Sequence, residues 1–429
     1  MKTRIRLPKY DLSSIIFAVL MLLPAINYYI AEIFWAFGLT NPISEIVYAF
    51  TFGVGLFSVV RRIDLFRVSA IVVFVFLLAY SAVITPQAVP EYTGPSFLKS
   101  PLAMFLLIYF PIFLLAADKR FKYEEALPLL SRLAVIPMIL MIVAYVFQVY
   151  VRGTELHEYM SFAYVILPLI LISIYFSWMS DGHYIGKVLS VLSAFTILFG
   201  GCRGALVTLL VFIVLSVLLF TKFSLKKVLI VALGVAVVMN LSAILSYFGG
   251  QLYAVGIESR IFNFLDTGDI AESRDRLAVY RKALSIIDYY GHGIYSDRAL
   301  LEHVESATYC HNWVLEFMVD YGAVLGGILV LLLLTKLAVI GFHTSSKSST
   351  THRFLMHFAM SMLFVKFMLS NSYLNSSELA LVFGWLIHLT RNKKQYRKYS
   401  IRDVKNILIN ARYKRRQTSP AAHRRNGSL

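Results

Sequence analysis

The sequence has little of what a metal site or a disulfide framework needs. It contains two cysteines, Cys202 and Cys310, among its 429 residues. It has no histidine pair at ligand spacing in a predicted helix, and no Asp-x-Asp in the loops predicted outside the membrane. We therefore expect no metal and no bound cofactor. The two cysteines either form a disulfide, which is permitted outside the cell, or remain buried free thiols, the interpretation we favour.

Acidic residues are also scarce. The chain has 24 Asp and Glu against 41 Lys and Arg, a formal net charge of +17. Such an excess can indicate a nucleic-acid-binding protein, but most of it lies in short segments between apolar runs and in residues 391–429. Anionic lipid would attract that basic tail by ~1 kcal/mol per basic residue near the surface. We interpret it as a cytoplasmic anchor, with a specific cytoplasmic partner as the alternative, and expect no nucleic acid.

Long polar stretches are few, which excludes an ordinary soluble protein. Hydrophobic residues make up 58% of the chain, more than a soluble core requires. About twelve apolar runs of roughly 17–22 residues are long enough to cross a hydrocarbon layer of ~30 Å. The predicted fold is therefore all-α, a polytopic membrane protein with about 12 transmembrane helices. The predicted spans begin near Leu12, Ile43, Phe66, Pro101, Leu133, Ser161, Ile185, Gly204, Val228, Ala323, Phe354 and Leu379.

Basic residues are concentrated in every second predicted loop, and the intervening loops have almost none. Because Lys and Arg favour the cytoplasmic side, this alternation predicts that both termini are cytoplasmic. The first apolar run is too long for a signal peptide and lacks a clear cleavage site, so we read it as an uncleaved span. The basic clusters are Arg61, Arg62 and Arg67; Lys119, Arg120 and Lys122; Lys222, Lys226 and Lys227; Lys347 and Arg353.

The domain boundaries follow from the predicted spans. Residues 1–248 hold predicted transmembrane helices 1–9, residues 249–311 form a large extracytoplasmic loop, residues 312–390 hold helices 10–12, and residues 391–429 are the tail. Loops of this length are usually functional or disordered. No repeat relates the two halves of the chain, which argues against the inverted-repeat transporters.

The large loop carries a helical pattern. Leu277, Tyr280, Leu284 and Ile287 recur at helical spacing. They predict an amphipathic helix that lies on the membrane or on the helix bundle.

Three features predicted at the outer face could together carry chemistry. Arg203 lies between two apolar runs, where a charge needs a partner or must snorkel. Arg276, with Arg274 nearby, begins the loop helix. Two arginines from different segments could hold a diphosphate and stabilise the charge that develops on it as a leaving group. His311 could take a proton near neutral pH, and so could deprotonate an attacking sugar hydroxyl.

Other residues stay open as alternatives. His292 and His303 lie in the same loop and could replace His311 as the base. Glu32, in the first predicted outer loop, could serve as a catalytic carboxylate. Lys366, inside the eleventh predicted span, either lines the same cavity or snorkels.

Asn312, Glu316 and Asp320 follow at four-residue spacing on one helical face. The two acids either orient a neighbouring base or arginine, or simply face water.

At these residues the sequence resembles the O-antigen ligase and polymerase superfamily of bacterial surface-polysaccharide assembly. Three motifs within residues 200–327 carry the resemblance. They are Gly201-Cys202-Arg203-Gly204-Ala205-Leu206, similar to the family's Ser-Arg-Gly turn; Arg276 with Tyr280, followed by Gly291-His292-Gly293-Ile294, similar to its Arg-x-x-x-Trp helix and trailing Gly-x-Gly; and His311-Asn312 with Gly322 eleven positions on. Cys202 stands where Ser is usual in the family, and Tyr280 where Trp is usual.

The resemblance implies inverting, metal-independent glycosyl transfer at the outer face of the bacterial cytoplasmic membrane, from a polyprenyl-diphosphate-linked glycan to a sugar hydroxyl of an acceptor glycan. It implies that Arg203 and Arg276 contact the diphosphate and that His311 activates or binds the acceptor. Further substrate-binding candidates are Arg274, Arg281, Asn312 and Lys366. Arg274 and Arg281 are close enough in the chain to exchange roles with Arg276.

The favoured function is polymerisation of lipid-linked repeat units into a surface polysaccharide, because no acceptor-specific feature is apparent. The alternatives are an O-antigen ligase that moves the polymer onto lipid A core, and, from another class, a flippase for lipid-linked sugars. A flippase predicts charges along a path through several spans, whereas the candidates here cluster near one face. The lipid bilayer, a chain-length regulator and other polysaccharide-assembly proteins are candidate partners.

Overall fold

The computed structural model describes residues 10–94, 100–152, 159–179, 184–200, 202–219, 236, 271–301, 309–344, 348–370 and 372–392. Several predictions fall outside these residues: the ninth span near Val228, the first part of the large loop, His303, Lys347 and most of the basic tail. Across the described ranges the regular structure is helical and includes no strand, which confirms the all-α fold.

The helices follow the apolar runs of the sequence. They are α1 (Leu12–Ala36), α2 (Ser44–Val60), α3 (Leu65–Ile84), α4 (Ala88–Thr93), α5 (Pro101–Met104), α6 (Phe110–Ala117), α7 (Tyr123–Leu133), α8 (Val135–Arg152), α9 (Tyr159–Met179), α10 (Tyr184–Phe199), α11 (Arg203–Leu218), α12 (Ala271–Ile286), α13 (Ser296–Leu301), α14 (Trp313–His343), α15 (Thr350–Ser361), α16 (Phe367–Leu369) and α17 (Ser377–Arg391). π-Helical turns at Phe105–Tyr109 and Met362–Lys366 join α5 to α6 and α15 to α16. Apart from Val228, each predicted span start falls in or beside one of these helices.

Five helices in the described ranges are long and apolar enough to cross a membrane: Leu12–Ala36, Leu65–Ile84, Tyr123–Val149, Met160–Trp178 and Trp313–His343. Shorter apolar helices are Ser44–Val60, Pro101–Ala117, Tyr184–Phe199 and Gly204–Leu218. The outward face of α3 is apolar, with Val72, Phe76 and Val83 at 60%, 67% and 76% exposure. Such a surface suits lipid better than water. The total of about twelve spans stays a prediction.

The interior of the bundle is formed by helices that are distant in sequence. α1 packs against α2, α7 and α8, and α6 packs against α17. Aromatic rings of Tyr175, Phe212 and Phe354 join α9, α11 and α15, with centroids 5.2 to 6.2 Å apart. This packing holds α11 against α9 and α15.

One end of the bundle is rich in ion pairs. Asp118 contacts Arg62 at 3.5 Å and Arg67 at 3.3 Å. Arg391 contacts Asp64 at 3.4 Å and donates to the carbonyl of Ala117. These residues flank α2, α3, α6 and α17, and their basic members belong to segments predicted to be cytoplasmic. The structure therefore gathers these segments at one end, which we call the charged end.

The large loop is bound at the opposite end of α3. Tyr80 donates to the Gly291 carbonyl at 3.2 Å, Ser81 to the Ile294 carbonyl at 2.7 Å, and Thr85 to the His292 carbonyl at 2.8 Å. With 20 residues, α3 is about 30 Å long, close to the thickness of a bilayer core. The charged end and the loop end are therefore separated by about one membrane thickness.

A break in α14 connects the loop to the helix bundle. Gly322 has φ of 80° and ψ of 165°, outside helical values. Backbone N–H groups of His292 and Gly293 donate to the carbonyls of Val319 and Asp320, both at 2.9 Å. Residues 313–321 therefore form a short segment bonded to the loop, and the apolar span that the sequence predicted near Ala323 begins after the break.

The helix predicted in the loop is confirmed as α12, and two residues of its predicted apolar stripe are exposed rather than buried against the helix bundle. Leu277 and Leu284 are 48% and 59% exposed, whereas Val279 and Ala283 are buried. The partners explain the difference, because the small Val279 and Ala283 side chains allow α12 to pack closely on neighbouring segments. Those partners are Leu301, Cys310 and Val319.

Candidate functional site

α11 begins at Arg203, directly after the buried Cys202. The side chains of Arg203 and Arg274 lie outside the described part of the structure. A Cβ at Gly204 would lie 2.0 Å from the hydroxyl oxygen of Tyr164, so glycine is required for this approach. The Tyr164 hydroxyl therefore reaches the first turn of α11.

Tyr164 is the point at which several predicted site segments meet. The Nζ atom of Lys366 lies 5.2 Å from its ring centroid. Arg276, Cys202 and Tyr309 all contribute to the electrostatic environment of its hydroxyl, so these groups are neighbours. The sequence interpretation missed Tyr164 because it is one of 26 tyrosines and lies in an apolar run.

His311 lies at the edge of this region in an unusual backbone conformation. Its φ is 53°, in the left-handed region. Its ring contacts that of Tyr309, with centroids 4.1 Å apart. A non-glycine residue in this conformation costs about 1–3 kcal/mol and persists only where its surroundings impose it.

The residues on either side hold this turn. The N–H of Cys310 donates to Oδ2 of Asp297 at 3.0 Å. A hydrogen bond to a charged group contributes about 1.5–3 kcal/mol, enough to offset the strain at His311. Asn312 follows and caps α14, because its Oδ1 accepts from Val314 N at 3.0 Å and from Leu315 N at 3.3 Å. An Asn before an apolar run is a common capping signal, and it could have predicted this contact of Asn312.

Lys366 is buried and paired, so the snorkelling alternative is wrong. The lysine is 1% exposed and its Nζ forms an ion pair with Glu378. It also lies 5.2 Å from the centroid of Phe367. The other carboxylate oxygen of Glu378 accepts from Ser376 at 2.7 Å. Lys366 ends a π-helical turn, a feature that is frequent at functional sites.

Glu316 and Asp320 are buried, each 1% exposed, so the water-facing alternative is wrong. Glu316 accepts from the Ser372 hydroxyl and from Tyr373 N, the latter at 3.1 Å. Asp320 accepts from the Tyr373 hydroxyl at 2.8 Å and from Ser296 at 3.3 Å. These bonds join the first part of α14 to the chain just after α16, close to Lys366.

The alternative site residues have structural contacts of their own. Nε2 of His292 lies 2.7 Å from the Ile286 carbonyl, at the last turn of α12. Glu32 is buried and accepts from Gln148, between α1 and α8.

Arg276 and Arg281 lie on different faces of α12. Five residues turn a helix by about 140°, and Arg281 is exposed whereas Arg276 is half-buried. Tyr280, which stands where the family usually has Trp, donates to the Met368 carbonyl at 3.3 Å. α12 is thereby attached beside α16. Cys202 and Cys310 are both buried free thiols, as favoured from the sequence.

Apolar helices of membrane-spanning length, with a buried polar cluster at one end, define a helical integral membrane protein. Residues 188–332 match the family model described as O-antigen ligase, so this part of the chain is similar to the O-antigen ligase and polymerase superfamily. The match supports an enzyme of glycan ligation or polymerisation. No curated protein and no solved structure matches the chain. Tyr164, Lys366 and Glu378 lie outside the matched residues.

Proposed function

We propose that the chain is an inverting, metal-independent glycosyltransferase that polymerises polyprenyl-diphosphate-linked repeat units into a surface polysaccharide. The reaction takes place at the outer face of the bacterial cytoplasmic membrane. The observation that carries the proposal is the convergence of Arg276, Lys366 and the Tyr309–His311 pair on Tyr164. Cationic side chains near Tyr164, and a half-buried histidine against Tyr309 in the same region, suit a diphosphate leaving group and a base.

In the proposed reaction, the acceptor hydroxyl oxygen attacks the anomeric carbon from the face opposite the diphosphate. The bond from the anomeric carbon to the diphosphate oxygen breaks, and its electron pair leaves with the diphosphate. Arg203 and Arg276 stabilise that negative charge. His311 takes the proton of the acceptor hydroxyl, a role typically worth ~10²–10⁴-fold in rate.

The donor chemistry is shared with a ligase, so the acceptor decides between the two activities. Deletion of the gene separates them through the lipid-linked intermediates that accumulate. Single repeat units on the carrier support a polymerase. Long carrier-bound chains that lack attachment support a ligase and would refute the polymerase.

The enzymatic proposal is tested with purified protein and a labelled lipid-linked repeat unit. We expect His311→Ala to reduce glycan extension by ~10²–10⁴-fold, and Arg276→Ala to reduce it strongly through lost diphosphate contact. Lys282→Ala is the matched control, since Lys282 is an exposed cation on the same helix, and it should leave extension unchanged.

Two results would contradict the proposal. Normal glycan extension by a well-folded His311→Ala variant would show that His311 is not the catalytic base. Movement of lipid-linked glycan across liposomes without any extension favours the flippase. Arg281→Ala decides which arginine of α12 acts: a loss with Arg281→Ala and none with Arg276→Ala would exchange their roles.

A further inference from the structure

A buried carboxylate outside the predicted site holds the turn that carries His311. Asp297, in α13, has no exposed surface, and its Oδ2 accepts the Cys310 N–H at 3.0 Å. Cys310 directly precedes His311, whose φ is 53°. The bond therefore acts on the peptide next to the strained residue.

The α13 segment stays docked through contacts that do not involve the Asp297 carboxylate. Leu301 is buried in the cluster with Val279 and Ala283. Ser296 donates to Asp320 at 3.3 Å, and Gly293 N donates to the Asp320 carbonyl at 2.9 Å. Removal of the Asp297 carboxylate should therefore free the 310–311 turn and leave the rest of the loop in place.

Burial raises the pKa of Asp297, and the charge of neighbouring Arg298 opposes this rise. Burial, and after it the charge of Asp297, also raises the pKa of the Cys310 thiol. Because alkylating reagents react with the thiolate, Cys310 should react slowly while the turn is held by its bond to Asp297. The thiol therefore reports on the turn independently of catalysis.

We propose that Asp297 is a positioning residue for His311. By accepting the Cys310 N–H it fixes the left-handed turn, keeps the imidazole against Tyr309, and sets where the base meets the acceptor hydroxyl. Asp297 itself does not contact substrate. The catalytic part of this inference rests on the proposed function, and the structural part does not.

The test combines two readouts on the full-length protein. In the otherwise unchanged chain, Asp297→Ala should lower kcat for glycan extension at least tenfold with little change in KM, because the base is displaced and donor contacts remain. Asp297→Asn should retain most of kcat, because its amide oxygen can accept the same bond. Asp288→Ala is the matched control: it removes a carboxylate that accepts the N–H groups of Tyr290 and Gly291 in the same loop, and kcat should not change.

Thiol labelling gives the second readout, in a Cys202→Ser background where Cys310 is the sole cysteine. Maleimide should react with Cys310 faster in Asp297→Ala than in Asp297→Asn, because both variants lack the charge and only Asn keeps the acceptor for the Cys310 N–H. Faster labelling of Asp297→Ala with unchanged kcat would overturn the positioning role. Equal labelling of the two variants would show that the bond to Asp297 does not hold the turn. If His311→Ala extends glycans normally, the proposed function fails while the labelling result still decides the turn. Should Asp297→Ala not fold, Asp297→Ser, too short to reach the Cys310 N–H, replaces it with the same expected results.

Discussion

At the scale of single residues, the buried ion pair of Lys366 and Glu378 requires a physical explanation. The side chains are 1% and 5% exposed, so both charges are largely removed from water. Removing one partner of a buried pair typically costs about 3–5 kcal/mol, whereas replacing both by neutral groups is often neutral. The pair is therefore weak evidence for stability, and its position beside Tyr164 favours a role in the site.

Substitution of one or both partners separates the structural role of this pair from the functional one. We expect Lys366→Met or Glu378→Gln alone to lower the thermal unfolding midpoint in detergent, because each leaves a buried charge without its partner. The double variant should recover most of that loss. If Lys366 also binds the donor, the double variant should still show a raised KM for the lipid-linked glycan. A double variant that is as unstable as the single variants would show that the two residues are not coupled.

At the scale of elements, the close approach of the loop backbone to α14 depends on Gly322. The φ of Gly322 is positive, and a Cβ there would lie 2.4 Å from the Tyr289 carbonyl oxygen. We expect Gly322→Ala to destabilise the protein by roughly 1–3 kcal/mol from backbone strain alone, with the overlap adding to this cost. The measurement is the shift of the unfolding midpoint in detergent, together with loss of glycan extension as the loop leaves α14.

Gly327 provides the control for this substitution. It lies in the same helix, and a Cβ there meets nothing within 4 Å. Gly327→Ala should be neutral or should stabilise by ~0.5–1 kcal/mol, the usual gain of Ala over Gly in a helix. Equal effects of the two substitutions would mean that the break at Gly322 is not a required feature.

The elements were largely predictable from sequence, whereas the contacts of the site were not. Apolar runs determine where the helices lie, and the break at Gly322 coincides with the predicted start of the tenth span. Tyr164 and Asp297 gave no local signal in the sequence. The role of Tyr164 arises from its contact with Lys366, far away in the chain, and that of Asp297 from its contact with Cys310, across a loop. Periodicity also could not tell that Glu316 is buried, since its partners come from residues 372–373.

At the scale of the whole molecule, the bundle has two chemically different ends. The charged end holds basic residues paired with Asp64 and Asp118. The loop end holds the left-handed turn at His311, the buried acids Glu316 and Asp320, and the helix break at Gly322. Basic residues favour the cytoplasmic side, so we expect the loop end, and with it the proposed site, to face outward.

Cysteine labelling from one side of the membrane tests this orientation. Ile63 and Tyr290 are 72% and 83% exposed and lie beside opposite ends of α3. In a Cys202→Ser background, Tyr290→Cys should react with an impermeant maleimide on intact spheroplasts, and Ile63→Cys should react only after permeabilisation. The remaining Cys310 is buried and gives the background rate. If Ile63→Cys reacted from outside and Tyr290→Cys did not, the imidazole of His311 would lie at the cytoplasmic end of the bundle, and glycosyl transfer beyond the membrane would be excluded.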